Sequence, residues 1–251
     1  MATLAVEGVS QGFDGLSVLD DVSLTVESGQ VACLLGPSGC GKTTLFHVVA
    51  GLARPRSGRV LLDGHDITGR PGSLSYMLQK DLLLPHKTVI DNVALPLVLK
   101  GASRSEARER AEGLFELFGL SGVEGRWPAE LSGGQRQRAA LMRSYLFSHE
   151  FMLLDEPFSA LDAFTKAELH TWFLSVMDAC GASALVVTHD IDEAVKIGDV
   201  IFVMRGAPQK GDPARIVGCE RVSCPQPKRA EFAVSPEFLE HKRHVLELLR
   251  S

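Results

Sequence analysis

From Leu4 to Leu62 the apolar residues fall in short runs bounded by turn formers: Leu4 to Val9, Val18 to Val26, Val31 to Leu35 and Arg59 to Leu62, the last ending in Asp63-Gly64. Runs of this length, rich in branched residues and punctuated by Gly, Asp and Ser, predict β-strands. The texture changes from about Asp91. Ser103 with Glu106 predicts a capping box, and Ala107, Ala111, Leu114, Phe115 and Phe118 recur at helical spacing until Gly119 ends the run. With further helical segments around it, the stretch from about 88 to 145 is expected to form a helical subdomain inserted in a sheet. Strand character returns at Phe151 to Leu154, Ala184 to Thr188 and Val200 to Met204. A helix between the first two of these carries Leu169, Trp172, Phe173, Val176 and Met177 on one face, which assigns those aromatics to the core. Strands alternating with helices predict a parallel sheet covered on both sides. The tail from Arg205 to Ser251 reads as a short extension ending in a helix, with Ser235 as cap, Pro236 in the first turn, and Phe238, Leu239, Val245, Leu246 and Leu249 as its apolar side.

With 251 residues, 45% hydrophobic and 23% charged, the chain can bury a large core as a single domain, 1–251. Its net charge of −5 argues against nucleic acid as a partner. The five cysteines, Cys33, Cys40, Cys180, Cys219 and Cys224, are odd in number and form no C-x-x-C pair, so neither a disulfide framework nor a zinc site is indicated, and a reducing cytosol is expected. Met1 to Val9 lacks the basic region and long apolar core of a signal peptide, and no apolar run approaches the ~20 residues needed to span a bilayer. A role at a membrane would require another chain to hold this one there.

Three constellations carry the chemistry. Gly36-Pro37-Ser38-Gly39-Cys40-Gly41-Lys42-Thr43-Thr44 lies between the apolar run Val31 to Leu35 and a helical segment starting near Lys42. Its glycines let the backbone turn several N–H groups toward one anion, and the following helix adds its positive end. Lys42 supplies a mobile charge for the β- and γ-phosphates of a nucleoside triphosphate, and the Thr43 hydroxyl is suited to Mg²⁺. Cys40, near Lys42 and a helix start, is expected to favour its thiolate. Secondly, Phe151 to Glu156 is an apolar strand delivering two carboxylates at its C-terminal end, the edge where open α/β sheets bind ligands. Asp155 suits the Mg²⁺ shell and Glu156 the activation of an attacking water. Thirdly, in Leu131-Ser132-Gly133-Gly134-Gln135, Ser132 can cap the helix that follows and the glycines leave N–H groups uncovered, a second anion site.

In this order, Gly36 to Thr44, Gln79, Leu131 to Gln135, Phe151 to Glu156, Ser159-Ala160-Leu161-Asp162 and His189 resemble the nucleotide-binding subunit of an ABC transporter, over about Leu4 to Val203. The resemblance implies an α/β fold, a P-loop NTPase of ABC ATPase type, with a mainly parallel sheet core, an antiparallel β layer and an inserted helical subdomain. It also implies that ATP and Mg²⁺ are clamped between the phosphate loop of one copy and Ser132 to Gln135 of a second copy. Phe13 would then stack on adenine, Gln79 sense Mg²⁺ and the attacking water, Asp162 cross the dimer interface, and His189 contact the γ-phosphate beside Glu156. Arg136 and Arg138 are open between phosphate contacts and a solvated basic face.

The implied partners are a second copy, an integral-membrane permease that holds the subunit on the cytoplasmic face of the membrane, and, indirectly, a solute-binding protein. The stretches Asp155 to Ala163, Leu83 to Val93 and Ala214 to Phe238 resemble the importer group for nitrate, sulfonate and taurine. Importers of thiamine precursors have similar subunits, which leaves the solute open. His86, Phe13 and Ser144-Tyr145 depart from the group's pattern, in which an aromatic, a tyrosine and small residues are usual. Leu82 to Val89 is open between a docking surface for the permease and packing within the subdomain. The tail is expected to be too short for the regulatory barrel that sugar-importer relatives carry. A soluble ABC-type ATPase acting on ribosomes or DNA is the competing class, disfavoured by single copies of each motif and the short span from Gln79 to Ser132. An export or lipoprotein-release subunit is a third, disfavoured by Pro157-Phe158.

Overall fold

The computed structural model describes residues 2–159, 161–222 and 230–250; Met1, Ala160 and Cys224 lie outside the described residues. Ten strands form one sheet: β1 (Leu4–Phe13), β2 (Leu16–Val26), β3 (Val31–Leu35), β4 (Ser57–Leu62), β5 (His65–Asp66), β6 (Ser75–Met77), β7 (Phe151–Asp155), β8 (Ser183–Thr188), β9 (Val200–Ala207) and β10 (Asp212–Arg221). Their order is β5-β4-β1-β2-β10-β9-β3-β8-β7-β6. Strands β9, β3, β8, β7 and β6 pair in parallel, whereas β5, β4, β1 and β2 form an antiparallel layer. The layer joins the rest through β2 and β10, which pair at Leu19 and Ala214.

The parallel strands are buried on both faces, as their unbroken apolar runs require. Alternate residues feed two separate cores. Cys33, Leu35, Met152, Leu154, Ala184 and Val186 pack on one face. Ala32, Leu34, Phe151, Leu153, Leu185 and Val187 pack on the other, with the antiparallel layer and α1 (Lys42–Val49). Between β6 and β7 the chain forms α2 (Val89–Val93), α3 (Leu95–Leu99), α4 (Arg104–Glu112) and α5 (Gly133–Phe147). Helices α6 (Ala163–Cys180), α7 (Ile191–Ile197) and α8 (Pro236–Arg250) complete the covering layer on the first face.

The capping box at Ser103 and Glu106 forms as expected. Helix α4 nevertheless stops at Glu112 and does not run to Gly119: after Gly113, Leu114 and Phe115 donate to Ala111 and Glu112, three residues back, so the ladder tightens into turns. Phe115 and Phe118 are buried all the same. Strands β1 and β2 extend beyond the expected runs because Asp14 (φ 48°) and Gly15 (φ 84°) make a two-residue hairpin between the paired Phe13 and Leu16. The tail is not a mere extension: β9 continues to Ala207 and β10 inserts between β2 and β9. In α8, Phe238 and Val245 are buried, but Leu239 is exposed. Leu248 packs instead, against Gly218, where a Cβ would lie 2.7 Å from Leu248 Cδ2.

Candidate nucleotide-binding site

Strand β3 is hydrogen-bonded to β8 and β9 along its whole length, so the loop that follows it leaves the middle of the parallel sheet at its C-terminal edge. A Cβ at Gly36 would sit 2.4 Å from the Met204 carbonyl oxygen, so the loop approaches β9 too closely for any side chain. Gly41 caps α1 at φ 112°, a conformation L-residues rarely adopt. Lys42 follows as the first residue of α1. Its Nζ donates to the carbonyls of Gly36 (2.7 Å) and Pro37 (2.9 Å), which draws the ammonium across the loop. Ser38, Gly39, Gly41, Lys42, Thr43 and Thr44 line a cleft of ≈ 410 Å³ together with Asp155 and Glu156. Half-exposed Phe13 stands in its wall, as do Pro208 and Gln209, from the turn between β9 and β10, which the sequence did not single out.

The strand β7 delivers the acidic pair. Glu156 sits just beyond it with φ 45°, held by its N–H donating to the Val187 carbonyl (3.0 Å). A non-glycine residue in this region costs about 1–3 kcal/mol and is retained where the surroundings over-determine it. Here the carboxylate is gripped from both sides: Gln79 Nε2 donates to Oε2 (3.1 Å), and His189 Nδ1 lies 3.1 Å from Oε1. Gln79 also donates to the Ser159 hydroxyl (3.3 Å). Three residues far apart in sequence thus meet on one oxygen pair.

Asp155 accepts from the Tyr76 hydroxyl (3.3 Å), a partner that sequence reasoning missed because β6 is short and carries no motif. Burial pushes the Asp155 carboxyl above its ordinary range, and the nearby Glu156 charge adds to this, against the Tyr76 hydrogen bond and the positive His47 and Lys42. A part-buried carboxylate beside a threonine hydroxyl and a phosphate cradle is an oxygen-donor set that fits Mg²⁺. Asp155 and Thr43 share the cleft, whereas Gln79 is not among the residues lining it and reaches the site through Glu156.

Cys40 departs from expectation. It is buried, and burial pushes its thiol up in spite of the Lys42 charge, so its thiolate is not favoured. Ser132 caps α5 by accepting from the Gln135 N–H, and Gln135 Oε1 accepts from the Ser132 N–H in return. Gly133 and Gly134 pack close to Leu161 and Thr165 of the same chain. None of Ser132 to Gln135 lines the cleft. Asp162 caps α6, accepting from the N–H groups of Phe164 and Thr165 and from the Thr165 hydroxyl. Arg136 donates to the Leu131 carbonyl and pairs with Asp81, and Arg138 lies over the Trp172 ring, which gives both of them partners within the chain.

A phosphate cradle, a part-buried carboxylate and a clamped glutamate meet at one sheet edge. A family model described as ABC transporter matches residues 19–159. The chain belongs to the ABC transporter family. Within it, the chain is 44% identical over 216 residues to the Fe(3+) ions import ATP-binding protein FbpC of Brucella abortus, covering 84% of this chain and 61% of that protein. It is 42% identical over 218 residues to the sulfate/thiosulfate import ATP-binding protein CysA of Synechococcus elongatus, covering 85% and 63%. The chain therefore spans less than two thirds of the length of these relatives. Among solved structures, cbiO1 from Clostridium perfringens, part of the ABC transporter complex cbiONQ, superposes with a TM-score of 0.79 at 25% identity, covering 98% of this chain and 96% of that one. The ATP-binding cassette MJ0796, in a dimeric post-hydrolysis state bound to ADP and Pi, gives 0.72 at 26% identity, covering 88% and 99%. These likenesses support the ABC ATPase fold, a mixed sheet with a phosphate loop at its parallel edge. Among the described residues no helix is long and apolar enough to cross a membrane.

Proposed function

We propose that this ABC family member binds ATP with Mg²⁺ and hydrolyses it to ADP and phosphate, as the subunit that energises a membrane importer. The observation that carries the reading is the Glu156 carboxylate, fixed between Gln79 and His189 at the rim of the phosphate-loop cleft. When a triphosphate enters, its oxygens replace the Gly36 and Pro37 carbonyls as acceptors for Lys42, and the loop N–H groups from Gly39 to Thr44 neutralise the remaining charge. Glu156 takes a proton from water as the water oxygen bonds to the γ-phosphorus and the bond to the β,γ-bridging oxygen breaks, releasing ADP. Gln79 and His189 hold that carboxylate in one orientation, and His189 would contact the γ-phosphate of the bound nucleotide. Thr43 and Asp155 would hold Mg²⁺, which would supply neutralisation of the phosphate charge.

Ser132 to Gln135 form an N-terminal helix cradle outside the cleft of their own chain. A second copy completes the pocket, bringing this cradle to the γ-phosphate, with Asp162 at the junction and Phe13 against adenine. The structurally similar MJ0796 cassette is itself dimeric with ADP and Pi. Closure is then favoured by ATP because only the closed pair contacts the γ-phosphate from both sides.

A groove of ≈ 470 Å³ walled by Leu52, Leu74, Tyr76, Leu82, Leu99 and Phe147, with α3 and α5 contributing to its lining, supports permease docking. Within Leu82 to Val89 the two readings divide by residue: Leu83 and Val89 are core, while Leu82 and Leu84 face the groove. The subunit would be held by its permease on the cytoplasmic face, with a solute-binding protein upstream. The relatives, an Fe(3+) and a sulfate/thiosulfate import protein, point to an inorganic ion as the solute class, in place of the nitrate, sulfonate and taurine group expected from the motifs. Co-purification of the permease, reconstitution of the complex in vesicles, and ATP-dependent uptake of labelled Fe³⁺ or sulfate test this; uptake that persists with Lys42→Ala refutes the energising role, and uptake of neither ion refutes the solute class.

A further inference from the structure

The helix that starts at Ser132 also grips the segment that carries Gln79. Arg143, about three turns further along α5, reaches out of the helix and donates from Nη1 to the Leu82 carbonyl (2.8 Å) and from Nη2 to the Asp81 carbonyl (2.5 Å). Arg136, seven residues earlier and so on the same face of the helix, pairs with the Asp81 carboxylate (3.4 Å). Gln137 of α5 donates to the carbonyl of Pro157 (2.5 Å), next to Glu156. One helix therefore holds both backbone segments whose side chains meet at Gln79 and Glu156.

Leu82 makes the grip informative. It adopts φ 45°, the left-handed region that a branched apolar residue avoids, and its side chain is 52% exposed. Nothing in the leucine itself favours this conformation. The bidentate guanidinium, satisfying two successive carbonyls, holds the turn in the form that displays Leu82 in the groove and leaves Gln79 pointing at Glu156. Arg143 and Leu82 both line that groove, so an object pressing on Leu82 works directly against the Arg143 hydrogen bonds.

We propose that Arg143 is a positioning residue for hydrolysis: it fixes the Asp81–Leu82 turn, and through it places Gln79 on Glu156, linking the Leu82 groove to the start of α5. The proposal rests on the ATP-hydrolysis reading above. Its site is remote from the nucleotide cleft, so Arg143→Gln should lower kcat about tenfold with KM for ATP unchanged, and Arg143→Lys, which retains the charge but offers no planar fork, should fall between.

Two further measurements separate positioning from simple damage. In a double-mutant cycle with Gln79→Ala, the Arg143→Gln change should cost less than about twofold in kcat, because residues acting through one another are not additive. Leu82→Gly accepts φ 45° without strain, so Arg143→Gln combined with Leu82→Gly should recover a large part of the lost kcat, whereas removal of a structural arginine would not be repaired by a glycine. If Arg143→Gln is insoluble, the same cycle and rescue are run on Arg143→Lys. Additive losses in the cycle, failure of the glycine to rescue, or a kcat within twofold of wild type would overturn the proposal while leaving ATP hydrolysis intact. Wild-type turnover by Gln79→Ala alone would remove the role of Gln79, and this proposal with it.

Discussion

Glu156→Gln isolates proton acceptance from every other feature of the site. The substitution keeps shape, backbone conformation and length, and the new amide can satisfy both neighbours: its oxygen accepts from Gln79 Nε2, as Oε2 does at 3.1 Å, and its NH₂ donates to His189 Nδ1 in the tautomer that carries the proton on Nε2. The clamp therefore survives, and the fold and the nucleotide cleft with it. What disappears is the group proposed to accept the water proton, a contribution of about 10²–10⁴ in rate, or roughly 2.7–5.4 kcal/mol at 1.36 kcal/mol per tenfold. Steady-state phosphate release should fall by that factor, while ATP affinity, followed with a fluorescent nucleotide, stays within about twofold of wild type, a shift of only about 0.4 kcal/mol. Because hydrolysis no longer breaks the closed pair, ATP with Mg²⁺ should accumulate a dimer visible by light scattering. A kcat within threefold of wild type, with the protein folded and saturated, would show that the carboxylate is not the base and that the clamp serves structure alone.

Gly36→Ala places a Cβ 2.4 Å from the Met204 carbonyl, so the loop or β9 must move; overpacking of about 1–3 kcal/mol should lower Tm by about 2–12 °C and abolish ATP binding, and calorimetry with nucleotide titration checks both. Burial and a raised pKa should make Cys40 slow toward iodoacetamide at pH 7.5 while exposed Cys219 reacts, and peptide mapping that found Cys40 labelled first would contradict the buried geometry. Burial pulls the Asp190 carboxyl up, but the Glu193 N–H and the Lys166 ammonium outweigh it and hold the group below the usual carboxylate range. Its ionised form therefore stabilises the fold fully above an ordinary Asp pKa of about 3.9, and that stabilisation is lost as pH falls through the lower folded value. Asp190→Asn should cost about 1 kcal/mol at pH 7, after allowance for solvent screening, and almost nothing near pH 2; melting curves showing a constant difference across this range would refute the assignment.

The phosphate loop was legible because its chemistry is local: consecutive N–H groups, a lysine and a threonine at fixed offsets between a strand and a helix need no distant partner to be recognised. The same holds for the caps at Ser103 and Ser132, each of which bonds within its own first turn. The parallel part of the sheet followed from continuous apolar runs, which only burial on both faces can accommodate. The sequence could not show what depends on contacts between separated segments. Strand β10 alternates half-buried and exposed residues and finds its place only because β2 and β9 leave an edge between them. Cys40 sits two residues from a lysine in sequence, which suggested a thiolate, but the packing around Gly36 buries it and desolvation wins. Tyr76 on Asp155 and Arg143 on the Asp81–Leu82 turn belong to no motif, since their partners lie 79 and about 61 residues away. The chain by itself determined which residues can hold phosphate and move a proton, because that follows from side-chain chemistry and short spacing. Tertiary structure alone decided which of them meet, because the Gln79, Glu156 and His189 contact closes across β6, β7 and β8, and strand order is set by the packing of the whole sheet.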